Sequence, residues 1–181
     1  MKRIALFVFG ALALSGSAWA QASADIDTPL LALPANLREG AGVVKWKPDH
    51  TYDTLKKSTN GLVCYDRSGF PLQVAFSMEC TAEANLPRVK QNMEAEALGD
   101  KMKSEAKLME QEKAGTRVKP VFGSVWYHLM GPTKEMARTH MTIAVPGATT
   151  ATMGLPDNGR QGGVWIMNAG TTTAHLMTPG E

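Results

Sequence analysis

NLPRVKQNMEAEALGDKMKSEAKLMEQEKAG, residues 85–115, is the one long stretch of this chain in which charged and apolar residues recur at helical rather than alternating spacing. Met93, Ala97, Leu98, Met102, Ala106 and Met109 fall mostly on one helical face. Lys101 with Glu105 and Glu110 with Lys113 supply i,i+4 and i,i+3 ion pairs. Asn85-Leu86-Pro87 reads as a helix cap followed by Pro in the first turn, where its missing N–H does no harm. Gly99-Asp100 predicts a break into two helices, because an interior Gly costs about 1 kcal/mol relative to Ala. Gly115 then stops the second. The charge run is thereby explained as the solvated face of a helix.

On either side of this segment the period shortens to that of strands. Upstream, residues 41–47 with Val43, Val44 and Trp46 read as a strand, Pro48-Asp49-His50 as a turn and residues 51–55 as a returning strand. Asn60-Gly61 is a tight-turn signal leading into Leu62-Val63-Cys64-Tyr65, so a small antiparallel meander is predicted. An irregular excursion over residues 66–71 precedes the apolar residues 74–78. Downstream, strands are predicted within 121–130, 139–145, 163–167 and 172–177, separated by Gly-Pro, Pro-Gly and Asp-Asn-Gly turns. The fold class is α+β: a mainly antiparallel sheet, built from the N-terminal meander and the C-terminal strands, with a central helical segment. Residues 41–181 form a single globular domain in this reading. Residues 21–40 mix Ala, Pro and acidic residues without a sustained period and read as a flexible leader with an apolar anchor near Leu30 and Leu33.

The first twenty residues read as a signal peptide. Lys2 and Arg3 precede an apolar run to Leu14, and Ala18-Trp19-Ala20 forms a small-x-small cleavage site. The run is too short for a stable anchor, so no membrane attachment is expected after cleavage. Loss of Lys2 and Arg3 levels the basic residues with the 17 Asp and Glu, so the mature chain is formally neutral. Nucleic acid and anionic membrane are therefore poor partners, and a small molecule or another protein remains. The expected location is periplasmic or secreted. Cys64 and Cys80 are the two cysteines, and in an oxidising compartment they read as one disulfide that restricts the unfolded chain by about 3 kcal/mol.

Asn60-Gly61-Leu62-Val63-Cys64, the second cysteine followed by a helical stretch, His140-Met141-Thr142-Ile143-Ala144-Val145-Pro146, Trp165-Ile166-Met167-Asn168-Ala169-Gly170-Thr171 and Ala174-His175-Leu176-Met177 together resemble a family of exported bacterial proteins without an established activity. The likeness spans most of the chain after residue 20. It implies export and one compact domain, and it brings no catalytic residue, cofactor or substrate.

The motifs of common enzymes are absent from the sequence: no G-x-S-x-G elbow, no H-E-x-x-H, no phosphate-binding G-x-x-x-x-G-K-[ST] and no G-x-G-x-x-G at a strand-to-helix turn. No residue is assigned a catalytic role, and Asp66, Glu79 and Glu135 are the possible carboxylates. The leading reading is a non-enzymatic module that binds a small ligand or a partner protein. The alternative is a His/Met metal site. Alternation on strands puts Trp126, His128 and Met130 on one side, and likewise His175 and Met177, with His140 on a third strand. Imidazole with thioether suits copper, and imidazoles alone suit zinc. A metal-dependent hydrolase is a more remote extension of that reading. His128-Leu129-Met130-Gly131-Pro132 is echoed by His175-Leu176-Met177-Thr178-Pro179. Asp66-Arg67 beside Cys64 suggests either a polar recognition loop for an anion or an ordinary surface ion pair.

Overall fold

Strand β1 (Gly42–Trp46) turns at Pro48, Asp49 and His50 into β2 (Tyr52–Lys56), and the two pair antiparallel in a computed structural model that describes residues 15–178. The Asp49 carboxylate accepts from the backbone N–H of Thr51 at 3.0 Å, which closes the turn. Asn60-Gly61 then starts β3 (Leu62–Asp66), with Gly61 at a φ of 76° where a side chain would be strained. β3 does not continue an antiparallel meander, as the sequence predicted. It crosses to the other side of β1 and pairs with it in parallel. The burial of the two strands explains this: β2 is exposed along most of its length and stays at the edge, whereas Val63, Cys64 and Tyr65 are buried on both faces and need a central position.

β4 (Phe76–Ala82), β5 (Val125–Gly131), β6 (Arg138–Ala144), β7 (Trp165–Met167) and β8 (His175–Met177) complete an eight-stranded sheet of order β2-β1-β3-β4-β5-β6-β8-β7. Every pairing except β1 with β3 is antiparallel, so the α+β class holds. Cys64 and Cys80 face each other directly in the β3–β4 register and are joined in a disulfide. The echoed His-Leu-Met segments lie on β5 and β8, the two strands that flank β6.

Alternation divides the central strands between two cores. One side carries Val44, Trp46, Val63, Tyr65 and Trp126, packed with Leu86, Val89 and Met93 of helix α3 (Leu86–Glu96). The other carries Val43, Cys64, Met78 and Cys80, packed with Leu30, Ala32 and Leu33. The 21–40 stretch thus differs from the expected leader: α1 (Ser15–Leu30) and α2 (Ala35–Arg38) occupy it, and the apolar anchor around Leu30 and Leu33 forms part of a core. Arg38 ties this corner down by donating to the carbonyl of Leu33 at 2.8 Å. Of the signal-peptide reading, residues 1–14 lie outside the described residues, and α1 runs through Ala20. No helix among the described residues is long and apolar enough to cross a membrane.

The central helical segment breaks where Gly99-Asp100 predicted. Helix α3 gives way to α4 (Lys101–Lys113), Gly99 has a φ of 67°, and the Asp100 side chain caps α4 by accepting from the Lys103 N–H. Two expectations need correction. Asn85 does not cap α3, because its side chain is buried and used elsewhere: it donates to Thr81 and Ser124, each at 2.9 Å, and accepts from Val121 N–H at 2.8 Å. It pins the start of α3 to β4 and to the approach to β5. The apolar positions of α4 do not form a buried face either, since Met102 and Met109 are exposed and the buried residue of that helix is Ser104. The short α5 (Thr150–Met153), held by a capping box at Thr149 and Thr152, was not foreseen.

Candidate ligand-binding cleft

The antiparallel register places Tyr65, Glu79, His128 and His140 directly opposite one another on β3, β4, β5 and β6. Directly paired residues point to the same side of a sheet, so these four make a polar row across the face that α3 covers. Glu79 is its fixed point. One carboxylate oxygen accepts from the Tyr65 hydroxyl at 2.6 Å, the other accepts from Arg67 at 3.3 Å, and His128 Nδ1 lies 3.8 Å from that second oxygen. Arg67 also donates to Glu96 of α3, whose same oxygen receives Gln73 Nε2 at 2.9 Å. Burial opposes the charge on Arg67, but Glu79 and Glu96 outweigh it and hold the guanidinium firmly protonated. Burial together with Glu79 pushes the Tyr65 hydroxyl well above its ordinary range, so it remains a donor.

The opposite wall is one face of α3. Arg88, Asn92 and Glu96 recur every four residues and line the cleft together, while Val89 and Met93 point into the core. Eight residues of helix separate Arg88 from Glu96, an axial distance of about 12 Å. At the Arg88 end a second guanidinium enters from the loop after α4. Arg88 donates to Thr172 Oγ1 at 3.2 Å, to Thr173 Oγ1 at 2.8 Å and to the carbonyl of Val118. Arg117 donates to Gln91 Oε1 at 3.0 Å and to Asn92 Oδ1. Both arginines are buried, and neither makes a salt bridge among the described residues. The carboxylate of Glu112 stands behind Thr172, whose N–H and hydroxyl it accepts. Burial depresses Arg88, and burial together with repulsion from Arg88 lowers Arg117 to about 10, with Glu112 opposing the shift in both.

Between these walls lies a cleft of about 430 Å³, a volume in the range of small-molecule sites. His128, Met130, His140 and His175 all line it, so four of the five residues singled out as possible metal ligands share one space; Met177 is not part of the lining. Among the described residues no group of three or more His, Cys, Asp or Glu side chains is arranged to hold an ion. His175 Nδ1 is hydrogen-bonded to the carbonyl of Thr173 at 2.8 Å, and the rings of His128 and His140 sit side by side with centroids 5.9 Å apart. Burial lowers the pKa of His128, with Glu79 opposing, so the imidazole is neutral at pH 7 and able to accept a proton or a hydrogen bond from a bound molecule.

The sequence placed Arg67 on the surface beside Asp66. In the fold it is 2 % exposed, and its partners are Glu79 and Glu96. Neither a recognition loop nor a surface ion pair describes it. Among the possible carboxylates, Glu79 is central to the cleft, whereas Asp66 and Glu135 are exposed. Arg88, Arg117, Thr172, Thr173 and Glu96 were missed as site residues. Their one sequence signal was the i,i+4,i+8 spacing of Arg88, Asn92 and Glu96, which reads equally as a solvated helix face.

No family model matches this chain, and no curated protein or solved structure is detectably similar to it. The chemistry of the cleft must be argued from its own residues.

Proposed function

We propose that this chain is an exported, non-enzymatic binding module whose cleft takes a small molecule bearing an anionic group. Export rests on the N-terminal pattern of Lys2, Arg3, an apolar run and Ala18-Trp19-Ala20, and agrees with a structure whose two cysteines are paired. The observation that carries the ligand class is the pair Arg88 and Arg117: two buried guanidiniums on one cleft wall, each satisfied by neutral oxygens and neither joined to a carboxylate. The one carboxylate that acts on both, Glu112, leaves two buried cations sharing a single counter-charge; an anion entering between them replaces lost hydration with charge-assisted hydrogen bonds. The Thr172 and Thr173 hydroxyls add neutral contacts on the same wall.

Titration calorimetry with acetate, succinate, citrate, inorganic phosphate and phosphoglycolate tests this reading. At least one of these should bind with one-to-one stoichiometry, and Arg117→Gln should weaken it at least tenfold while Arg138→Gln, an exposed position on β6, leaves it unchanged. Absence of binding across the series, or equal losses in the two variants, would overturn the assignment.

A further inference from the structure

We infer that the ligand is a zwitterion with separated ends, its anionic group at Arg88 and Arg117 and its cationic group at Glu96. This rests on the anion-binding reading above and extends it to the far end of the same cleft. The wall formed by α3 changes sign along its length, from Arg88 through the neutral Asn92 to Glu96. The far end holds two carboxylates, Glu79 and Glu96, against one guanidinium, Arg67. Both hydrogen bonds to Glu96 fall on a single oxygen, Oε2, so Oε1 has no donor among the described residues. The Glu96 side chain is 21 % exposed and reachable from the cleft, whereas Glu79 is closed off by Tyr65 and Arg67.

The two ends are thus unbalanced in opposite senses, two guanidiniums against Glu112 at one and two carboxylates against Arg67 at the other. Burial raises the Glu96 carboxyl above its ordinary range and lowers Arg117, and a charge-matched ligand reverses both shifts. The spacing sets the ligand's size. Side chains reaching inward from positions about 12 Å apart along the helix leave a gap longer than the single carbon that separates the ammonium and carboxylate of an α-amino acid, so the charges must be several bonds apart. Short unprotected peptides and ω-amino acids have this form, and a cleft of about 430 Å³ accommodates them.

The test is calorimetric binding of diglycine, triglycine, tetraglycine and 6-aminohexanoate, each compared with its N-acetylated form. The free-amine form of at least one should bind, acetylation should weaken it at least tenfold, and Glu96→Gln should abolish that difference. The comparison on the unaltered protein does not depend on the variant folding. If free and acetylated forms bind equally, or if simple anions bind and no zwitterion does better, the inference is overturned while the anion reading stands. If neither anions nor zwitterions bind, both fall.

Discussion

Replacing Arg67 with Met removes the one cation that Glu79 and Glu96 share. In the native fold Arg67 and Glu79 have side chains 3 % and 7 % exposed, so solvent screens their interaction little. Glu96 is the more open partner. Taking one member from a buried ion pair leaves uncompensated charge and costs about 3–5 kcal/mol. For a chain of this length that lowers the Tm by about 10 °C. Guanidinium denaturation with the disulfide intact measures it. Glu79→Gln keeps an oxygen for the Tyr65 hydroxyl and leaves Arg67 its bond to Glu96, so it should cost less. Because the two residues touch, the double variant should be milder than the sum of the singles by about 1–3 kcal/mol. If Arg67→Met lies within about 0.5 kcal/mol of the unaltered protein, as a surface substitution would, the buried network does not hold the cleft together.

Three further outcomes follow from the same structure. Asn85→Ala removes two donated bonds and one accepted bond at a buried site, and should cost about 3 kcal/mol in chemical denaturation. His128 has a folded pKa below its ordinary value near 6.5, so the unfolded state takes up its proton first. Stability should therefore be full above pH 6.5 and decline as the pH falls from there to the folded pKa; Glu79, Arg67, His140 and His175 surround the ring, and His128→Gln should flatten this part of the stability–pH curve. Reducing the Cys64–Cys80 bond, which closes a loop of sequence separation 16, should cost about 3 kcal/mol. Both sulfurs are buried, so thiol labelling of the native protein after brief exposure to reductant should be slow and should accelerate in denaturant.

How far the sequence could be read depended on whether the deciding force was local. The α3–α4 break was legible because Gly99 and Asp100 act within one turn: one takes a positive φ, the other caps the next helix. The strands were legible from alternation and turn residues, and the disulfide from two cysteines alone. The parallel pairing of β1 with β3 was not, because it is set by burial on both faces of β3, a property of the finished sheet. Asn85 looked like a cap because Asn before Leu-Pro usually is one; three partners brought from β4 and the 121–124 loop claimed its amide instead. The histidines of β5, β6 and β8 did come to one cleft, since these strands are neighbours, and register set His128 between Glu79 and His140. Arg88 and Arg117 were invisible as a pair because 28 residues, including the rest of α3 and all of α4, lie between them.

The central claim is that Arg88 and Arg117 form the anion-binding wall of this cleft, and side-chain NMR reads it most directly. Nitrogen-15 spectra of the arginine Nε–H groups, recorded during titration with the tightest ligand of the carboxylate and phosphate series, should show the Arg88 and Arg117 signals moving together and saturating at one equivalent. The exposed Arg138 should stay in place. If all arginine signals drift in parallel without saturating, or if Arg88 and Arg117 do not move while ligand binds, the cleft is not the site.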